Sequence, residues 1–404
     1  MAMVRTASLF SQLLGQIPRT KFERLVKQHG AEYGAKGYTC WNQLVSMLFC
    51  HLAKADSLRE ICNGLACCLG KLVHLDINRR PNKSTLSYAN AHRSAGLYED
   101  LLWTSLEHFR SQGYFAGRRH RFRFKNKLFS LDSTTISLCL SLFPWAKFRR
   151  VKGGVKLHVL LDHDDYMPAF AQITSAKVND QITLKTLRLN PGSVVAADAA
   201  YNDFAIYSAW TEQGIFFVTR MRRNTVYEVI ERRRLPRHRN ILSDDVIRLT
   251  GRRAPGRCPY DLRRIVVFDR ENDREIVLLT NHLDFGPTTI SAIYKDRWQI
   301  EIFFKALKQN LKIKTFIGTT ENALRIQIWT ALLALLLLKW LHFLSKAAWS
   351  FSNIASLLRL NLFTYRDLWE WLTNPLGTPP IVPQVEQLAL PLTRLGQPIH
   401  TPRG

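Results

Sequence analysis

Acidic residues are scarce in this sequence: 32 Asp and Glu stand against 57 Lys and Arg in a chain of 404 residues. The formal charge of +25 calls for an anionic partner, and nucleic acid is the commonest one for a basic globular chain. A membrane surface is the alternative, but no cationic amphipathic helix stands out. With 46% hydrophobic residues the chain has enough apolar material for folded cores, which excludes a disordered basic tail.

Paired cysteines and long apolar runs are also missing. The seven cysteines include no Cys-x-x-Cys pair, which disfavours a zinc site and indicates a reducing, cytoplasmic compartment. Residues 1–19 contain no continuous apolar run of signal-peptide length. The run at 328–338 covers only about half of the roughly 20 residues that a bilayer core requires, so it predicts a buried helix and no membrane contact.

The N-terminal part of the chain has the apolar spacing of short helices. Helices are predicted at 39–55 and 57–70, with Thr39 and Ser57 as N-terminal caps, and a short polar helix is predicted within 79–93, after Pro81 and Ser84. Three short helices, of which the last is polar and basic, are similar to a helix-turn-helix, although many small helical bundles share this pattern. We therefore expect the helix near 84–93 to contact DNA.

Strand-like runs replace this helical pattern after residue 125. Helices are predicted at 180–190 and 202–213, and strands at 128–138, 155–162, 167–176, 193–201 and 215–221. This order predicts an α/β core with a mixed sheet. Residues 222–285 then read as a β-strand insertion, and helical segments and a proline-rich tail end the chain.

The insertion is dense in arginine, which indicates either a solubilising surface or a track along a phosphate backbone, and the local density favours the track. Its arginines are Arg222, Arg223, Arg232, Arg233, Arg234, Arg237, Arg239, Arg252, Arg253 and Arg257. The predicted units are an all-α N-terminal DNA-binding domain (1–115), the first part of the core (125–221), the insertion (222–285), the end of the core (286–318) and a helical C-terminal region (319–404).

A polar stripe crosses the next predicted helix, which runs from about residue 287 to 311. Its sequence contains YKDRWQIEIFFKALK, and Tyr294, Arg297, Glu301 and Lys308 fall within about 60° of one another on a helical wheel. The apolar residues occupy the adjoining face. A single carboxylate between two cations and a phenol is typical of the wall of a cleft rather than of a solvated face.

Two further carboxylates occur in apolar strands. Asp132 lies within LFSLDSTTI and Asp198 ends VVAADAAY, where burial is costly unless the carboxylate is paired or bound to a metal. Either residue alone would more simply cap a turn or pair with an arginine. Together with Glu301 they predict a site for hard divalent cations.

Other catalytic patterns are weaker. The cluster of Asp162, Asp164 and Asp165 predicts a hairpin turn between two strands. No Ser-His-Asp arrangement, phosphate-binding glycine loop or zinc-protease pattern is apparent.

The spacing Tyr294-x2-Arg297-x3-Glu301-x6-Lys308 resembles the signature of the bacterial insertion-sequence-four family of transposases, in the DDE superfamily. Asp198, followed by two alanines and Tyr201, is similar to the second aspartate of that family, and Asp132 to the first. The interval from 198 to 301 is long enough for the family's β insertion, and the N-terminal hundred residues look like the helical domain that precedes its core.

The resemblance implies a ribonuclease-H-like core in which Asp132, Asp198 and Glu301 hold two Mg²⁺ ions, for which Mn²⁺ can substitute, roughly 3.5–4 Å apart. Tyr294, Arg297 and Lys308 would contact phosphates of the transposon end, and Trp298 would stack on a flipped base. The implied partners are double-stranded DNA, as terminal inverted repeats and target, and a second copy of the chain in a dimeric synaptic complex. Such a protein works in the cytoplasm, at the nucleoid.

Three functions remain open on the sequence. The first is a cut-and-paste DNA transposase that excises and joins an insertion sequence. The second is an inactive, transposon-derived DNA-binding repressor, and the third is a ribonuclease-H-like nuclease without strand joining. The presence of all three acidic candidates favours catalysis.

Overall fold

The computed structural model describes residues 7–68, 72–115, 122–149, 152–237, 240–251 and 258–381, in which one mixed sheet is covered by helices on both faces. The strands are β1 (Leu128–Leu138), β2 (Lys147–Arg149), β3 (Lys152–Asp162), β4 (Pro168–Ser175), β5 (Val194–Ala197), β6 (Phe216–Arg220), β7 (Tyr227–Arg232), β8 (Ile241–Leu249), β9 (Leu262–Asp269) and β10 (Arg274–Thr280). The predicted mixed α/β architecture is confirmed.

Strand β1 lies at the centre of the first half of the sheet. It runs antiparallel to β3 and parallel to β5, and β5 runs parallel to β6. The strand order is β2-β3-β1-β5-β6-β10-β9-β8-β7, and β4 pairs with β3. The predicted insertion therefore extends the same sheet, since β10 pairs antiparallel with β6 and is followed outward by β9, β8 and β7.

The arginines of the insertion have unequal surroundings. Arg222, Arg223, Arg232, Arg234 and Arg237 are exposed, as a phosphate track requires. Arg233 instead donates a hydrogen bond to the Leu283 carbonyl. The predictions for Arg239, Arg252, Arg253 and Arg257 fall outside the described residues.

Thirteen helices occur in the described residues. They are α1 (Leu9–Leu14), α2 (Arg19–Gln28), α3 (Cys40–Ala53), α4 (Leu58–Ala66), α5 (Lys83–His92), α6 (Gly96–Ser111), α7 (Asp180–Leu184), α8 (Phe204–Glu212), α9 (Pro287–Asp296), α10 (Gln299–Asn310), α11 (Glu321–Leu344), α12 (Phe351–Asn361) and α13 (Leu368–Thr373). The predicted caps Thr39 and Ser57 are confirmed, because their side chains accept hydrogen bonds from the backbone N–H groups of Asn42 and Glu60.

Two helices are shorter than the sequence predicts. The segment expected to be helical to residue 70 stops at Ala66, where Cys68 N–H bonds the Leu65 carbonyl in a tight turn. The helix expected at 180–190 has only five residues. Beyond Leu184 the backbone continues in three-residue turns, such as Leu187 N–H to the Leu184 carbonyl, and Pro191 follows.

The single helix predicted from 287 to 311 is wrong, since it is divided into α9 and α10. Between them the hydrogen bonds span three residues instead of four: Trp298 N–H bonds the Lys295 carbonyl at 3.3 Å and Glu301 N–H bonds the Trp298 carbonyl at 3.0 Å. Arg297 and Trp298 keep right-handed helical dihedral angles. The junction is therefore a tightened turn within a helical path, and neither glycine nor proline marks it in the sequence.

Each sheet face has its own helical cover. Phe129 and Leu131 of β1 pack with residues of α7 and α8 on one face. Leu128 and Val194 pack with Ile290 and Ile293 of α9 on the other face. Helix α10 lies on this second face beside β1 and joins the core of the helical part. The start of α10 therefore lies near the middle of β1, and its last turn lies farther along the same strand.

Helix α11 forms the axis of the helical part of the molecule. It packs against α3, α5, α6 and α12, so N-terminal and C-terminal segments share one core. Among the described residues it is the one helix long and apolar enough to cross a membrane, and 83% of its most apolar 18-residue window is buried within the fold. A helix at the centre of a helical core has this composition without any membrane, and the predicted burial of residues 328–338 is confirmed.

A buried histidine in this core makes the fold sensitive to acid. His51 of α3 is fully buried, its Nε2 lies 3.0 Å from the Thr330 hydroxyl of α11, and burial lowers its pKa to about 3. In the unfolded chain the imidazole takes up a proton near pH 6.5, whereas in the folded chain it stays neutral. The contribution of neutral His51 to the free energy of unfolding is therefore complete above pH 6.5 and is lost as the pH falls towards 3.

We expect the His51→Gln variant to lose less stability on acidification, because its amide can still donate to Thr330 but binds no proton. Between pH 7.5 and pH 5 the wild type should lose about 2 kcal/mol more than the variant, at 1.36 kcal/mol per pH unit below 6.5. Urea denaturation at both pH values measures this difference. Equal losses in the two proteins would contradict the assignment to His51.

Candidate active site

Asp132 and Asp198 lie side by side where two parallel strands are neighbours. Leu131 of β1 pairs with Ala197, the last residue of β5, so Asp132 within β1 lies beside Asp198, which directly follows β5. Asp198 begins a short turn that carries Tyr201. The sheet thus brings together two carboxylates that are 66 residues apart in the chain.

Arg297 connects Asp132 to Glu301. Its guanidinium nitrogens lie 3.1 Å from Oδ2 of Asp132 and 2.9 Å from Oε1 of Glu301. The side chain of Arg297 is only 12% exposed, and its Nε has no hydrogen-bond partner among the described residues. Glu301 occupies the first turn of α10, so the tightened junction between α9 and α10 sets where its carboxylate meets β1.

The electrostatics of this cluster are dominated by burial. The pKa of Asp132 is raised to about 6, chiefly by burial, with the negative charges of Asp198 and Glu301 acting in the same direction and Arg297 and the Ser133 N–H opposing them. Burial also raises the pKa of Tyr294, and the charge of Asp198 acts in the same direction. The site concentrates more negative charge than its one guanidinium neutralises.

The other residues of the predicted stripe lie around this cluster. The Arg297 guanidinium lies 5.6 Å from the centre of the half-buried Tyr294 ring. Lys308, at the last turn of α10, points its amine towards the Thr135 carbonyl of β1 at 3.4 Å. Trp298 is 58% exposed, which makes its ring available to a partner. The roles in DNA binding predicted for these residues stay predictions.

A polar network that the sequence analysis missed lies beside Asp132. Asp180, the first residue of α7, accepts hydrogen bonds from the Ser133 hydroxyl and from the Lys156 amine at 3.1 and 3.0 Å. His158 lies 3.3 Å from the Tyr201 hydroxyl, and burial lowers its pKa to about 4. These contacts join β1, β3, α7 and the turn after β5, and they surround the part of β1 that carries Asp132 and the turn that begins at Asp198.

The aspartates at 162–165 form the turn between β3 and β4, as predicted. Asp164 N–H bonds the Asp162 carboxylate at 2.9 Å, and Asp165 pairs with Arg110 at 2.7 Å. A hydrogen-bonded series of a serine, a histidine and an aspartate, which the sequence did not indicate, does occur nearby. Ser130, His163 and Asp296 are hydrogen-bonded in that order, although they are distant in the sequence.

Comparison with known proteins decides the family. The description "Transposase DDE domain" belongs to the family model that matches residues 123–337, more than half of the chain. The chain belongs to the DDE transposases. Residues 5–78 match a second family model, which is described as a domain of unknown function.

Relatives of this transposase carry the same assignment in their names. The protein y4zB of Sinorhizobium fredii, named as a transposase, is 32% identical over 295 residues, which are 71% of this chain and 79% of the relative. A transposase of insertion sequence element IS5377 from Geobacillus stearothermophilus is 33% identical over 55% of this chain and 59% of its own length. A transposase of insertion sequence element IS4SA from Synechocystis is 26% identical over 64% of this chain and 71% of its own length.

A solved structure of the piggyBac transposase, in a synaptic complex with hairpin DNA, is a more distant likeness. It covers 94% of this chain and 81% of its own, at 10% identity and a TM-score of 0.44, which is too low to establish a shared fold. The family match and the curated relatives therefore carry the conclusion: this DDE transposase of an insertion sequence is an enzyme that acts on DNA.

Divalent metal dependence accompanies membership of this family. Carboxylates are the hard oxygen ligands that such ions prefer, and the charges of Asp198 and Glu301 repel that of Asp132, so a cation would relieve the repulsion. The residues fit a divalent ion by this chemistry. In the arrangement of the described residues, no three His, Cys, Asp or Glu side chains are close enough to hold one, and Arg297 supplies the positive charge between Asp132 and Glu301.

Proposed function

We propose that the transposase excises its element and joins it to target DNA by a cut-and-paste route at terminal inverted repeats, with Asp132, Asp198 and Glu301 as the catalytic carboxylates. One observation carries this proposal. Carboxylates from the first strand and from a helix 169 residues later are bound by one guanidinium, beside the strand that ends at Asp198.

The sheet supports a ribonuclease-H-like core. In the order β4-β3-β1-β5-β6, with β1, β5 and β6 parallel and β3 antiparallel to β1, the first strand carries Asp132 and neighbours the strand that leads to Asp198, which supports the core that the resemblance implies. The insertion then continues this sheet before the chain returns as α9 and α10 to cover β1. The carboxylates therefore belong to rigid elements, which suits a site that must hold reacting groups in line.

The three carboxylates would hold two Mg²⁺ ions, with Mn²⁺ able to substitute. When bound, these ions supply Lewis-acid stabilisation of the attacking and leaving oxygens of a phosphodiester. The chain's own groups would orient the DNA: Tyr294, Arg297 and Lys308, which lie around the carboxylates, are the proposed phosphate contacts, and exposed Trp298 is the proposed stacking platform. We propose a homodimer, because two transposon ends must be paired.

A labelled DNA duplex that ends in the element's inverted repeat tests this function. We expect the purified protein with Mg²⁺ or Mn²⁺ to nick at the repeat end and to join the liberated 3′-hydroxyl to target DNA. Cleavage without joining would instead indicate a ribonuclease-H-like nuclease. Binding without cleavage would indicate a repressor.

A basic cleft in the helical part supports DNA binding by the N-terminal domain. The cleft, of about 560 Å³, lies between α4 and the segment that leads into α5, and none of its lining residues is acidic. Four exposed cations line it: Arg59, Arg79, Arg80 and Lys83. None of the four forms an ion pair with another described residue. Unpaired cations around a groove are suited to a phosphate backbone.

Neutralising this cleft should flatten the salt dependence of end binding. For the variant Arg79→Gln/Arg80→Gln we expect the negative slope of log K against log salt to become shallower by about 2, since each lost phosphate contact contributes about 0.9 to its magnitude. Fluorescence anisotropy across a salt series measures the slope. Arg24→Gln/Lys27→Gln, which removes two exposed cations of α2, is the matched control. Identical slopes for the two variants would argue against the cleft.

A further inference from the structure

Three buried polar side chains form a hydrogen-bonded chain under the active site. The Ser130 hydroxyl lies 2.6 Å from Nε2 of His163, and Nδ1 of His163 lies 2.8 Å from Oδ2 of Asp296. Ser130 is fully buried, and the side chains of His163 and Asp296 are 6% and 1% exposed. The three residues come from β1, from the turn after β3 and from the last position of α9.

The order serine, histidine, aspartate is that of a hydrolase triad, but this serine cannot act as a nucleophile. Ser130 lies in the middle of the sheet, paired with Leu161 on one side and with Ala196 on the other. A substrate carbonyl has no approach to an oxygen with no exposed surface. Because a carboxylate only accepts, the His163 Nδ1–H donates to Asp296, and the chain of bonds acts as a tether.

The tether connects the two elements that carry the catalytic carboxylates. Ser130 and Asp132 are two residues apart and so lie on the same face of β1. Asp296 directly precedes Arg297, and α10 begins two residues later without a side-chain cap. The tether therefore fastens the α9–α10 junction to β1, next to the position from which Glu301 reaches Asp132.

Arg297 makes a second link between β1 and the α9–α10 junction, but this link is less suited to persist when a divalent cation is bound. Its guanidinium uses the oxygens of Asp132 and Glu301 that a divalent cation would also use. The bonds of Ser130, His163 and Asp296 use none of these oxygens. They can therefore persist when the carboxylates turn to a cation.

We propose that His163 and Asp296 are positioning residues of the transposition reaction, which hold Glu301 in register with Asp132 through the α9–α10 junction. The inference rests on the proposed function of those two carboxylates. Displacement of a reacting group by about 1 Å costs on the order of 100-fold in rate, so a buried tether at the junction has a direct effect on chemistry.

The variants Asp296→Ala and Asp296→Asn test the tether in the full-length protein. Asp296→Ala is expected to weaken Mn²⁺ binding, measured by electron paramagnetic resonance of free Mn²⁺, and single-turnover end cleavage by about 10–100-fold each. Asp296→Asn keeps an oxygen that accepts a hydrogen bond from His163, so it should recover most of the Mn²⁺ affinity and most of the cleavage rate. Affinity for the DNA end should be equal in the two variants, and both are compared at a temperature at which thermal unfolding shows them to be folded. Asp100→Ala, which removes a His–Asp contact between α2 and α6, is the matched control and should leave Mn²⁺ binding unchanged.

Ser130→Ala covers the case in which Asp296→Ala does not fold, because it deletes one hydroxyl and keeps the strand. We expect it to weaken Mn²⁺ binding in the same direction. Wild-type Mn²⁺ binding in both Ser130→Ala and folded Asp296→Ala would overturn the proposal. Asp132→Asn in the same assays separates the two ideas: if it cleaves normally, the proposed catalytic site is wrong, whereas its inactivity beside an unaffected Asp296→Ala rejects only the tether.

Discussion

Replacement of Asp132 by Asn is expected to lower the rate of end cleavage by about 10³-fold or more, and Asp198→Asn and Glu301→Gln should do the same. Each substitution keeps the shape of the side chain but removes a charged oxygen ligand. Loss of roughly 4 kcal/mol of transition-state stabilisation corresponds to about a thousandfold in rate. Single-turnover cleavage of a labelled repeat end in Mg²⁺ and in Mn²⁺ measures the effect, and affinity for the end should be retained.

Loss of folding should not explain this result for Asp132. Its pKa is raised to about 6, so its ionised form costs folding free energy at pH 7.5 in metal-free buffer, and Asn removes that cost. Asp164→Asn is the control, because that carboxylate belongs to the turn after β3. If Asp132→Asn cleaves normally while Asp162→Asn does not, the first catalytic aspartate is in the turn and our assignment fails.

The sequence predicted well the features that depend on short-range periodicity. The bounds of β1 and the closeness of Tyr294, Arg297 and Glu301 follow from local repeats of two or 3.6 residues, and the caps Thr39 and Ser57 follow from the preference of hydroxyl side chains for helix N-termini. The neighbourhood of Asp132 and Asp198 was implied by the resemblance to the insertion-sequence-four transposases, and the pairing of β1 with β5 brings the two residues side by side.

The partners of individual side chains could not be predicted in this way. A guanidinium binds a phosphate or a carboxylate equally well, so the sequence did not indicate that Arg297 would lie between Asp132 and Glu301. The tether joins residues 33 and 133 positions apart, and only the pairing of β1 with β3 and the packing of α9 bring them together. The break between α9 and α10 involves no helix-breaking residue, so no local signal marked it.

Arg263, within the arginine-rich insertion, is another residue whose partners could not be predicted from the sequence. Its guanidinium contacts both oxygens of Asp244 at 2.6 Å, and both side chains are 2% exposed. It also donates to backbone carbonyls of the segment at 282–285, which leads directly into α9. An arginine in this block is therefore a structural clamp between β8, β9 and the helix that carries Tyr294.

Arg263→Leu should accordingly be among the most destabilising substitutions in the chain. It leaves the Asp244 carboxylate buried without its partner, which costs about 3–5 kcal/mol. Arg263→Lys should recover only part, because an ammonium cannot bind both carboxylate oxygens in the same fork. The midpoint of urea denaturation measures the loss.

A double substitution distinguishes the buried charge from the clamp. In Arg263→Met/Asp244→Leu the unpaired carboxylate is gone, and we expect most of the stability to return. Arg248→Met is the matched control: its pair with Asp261 is 50% and 35% exposed and should contribute no more than about 1 kcal/mol. If Arg263→Leu lowers the free energy of unfolding no more than Arg248→Met does, the Asp244 carboxylate must reach solvent or another partner, and the predicted clamp is wrong. If the double variant is stable but cleaves DNA ends slowly, the contacts of Arg263 to the 282–285 segment position α9 for catalysis, beyond their contribution to stability.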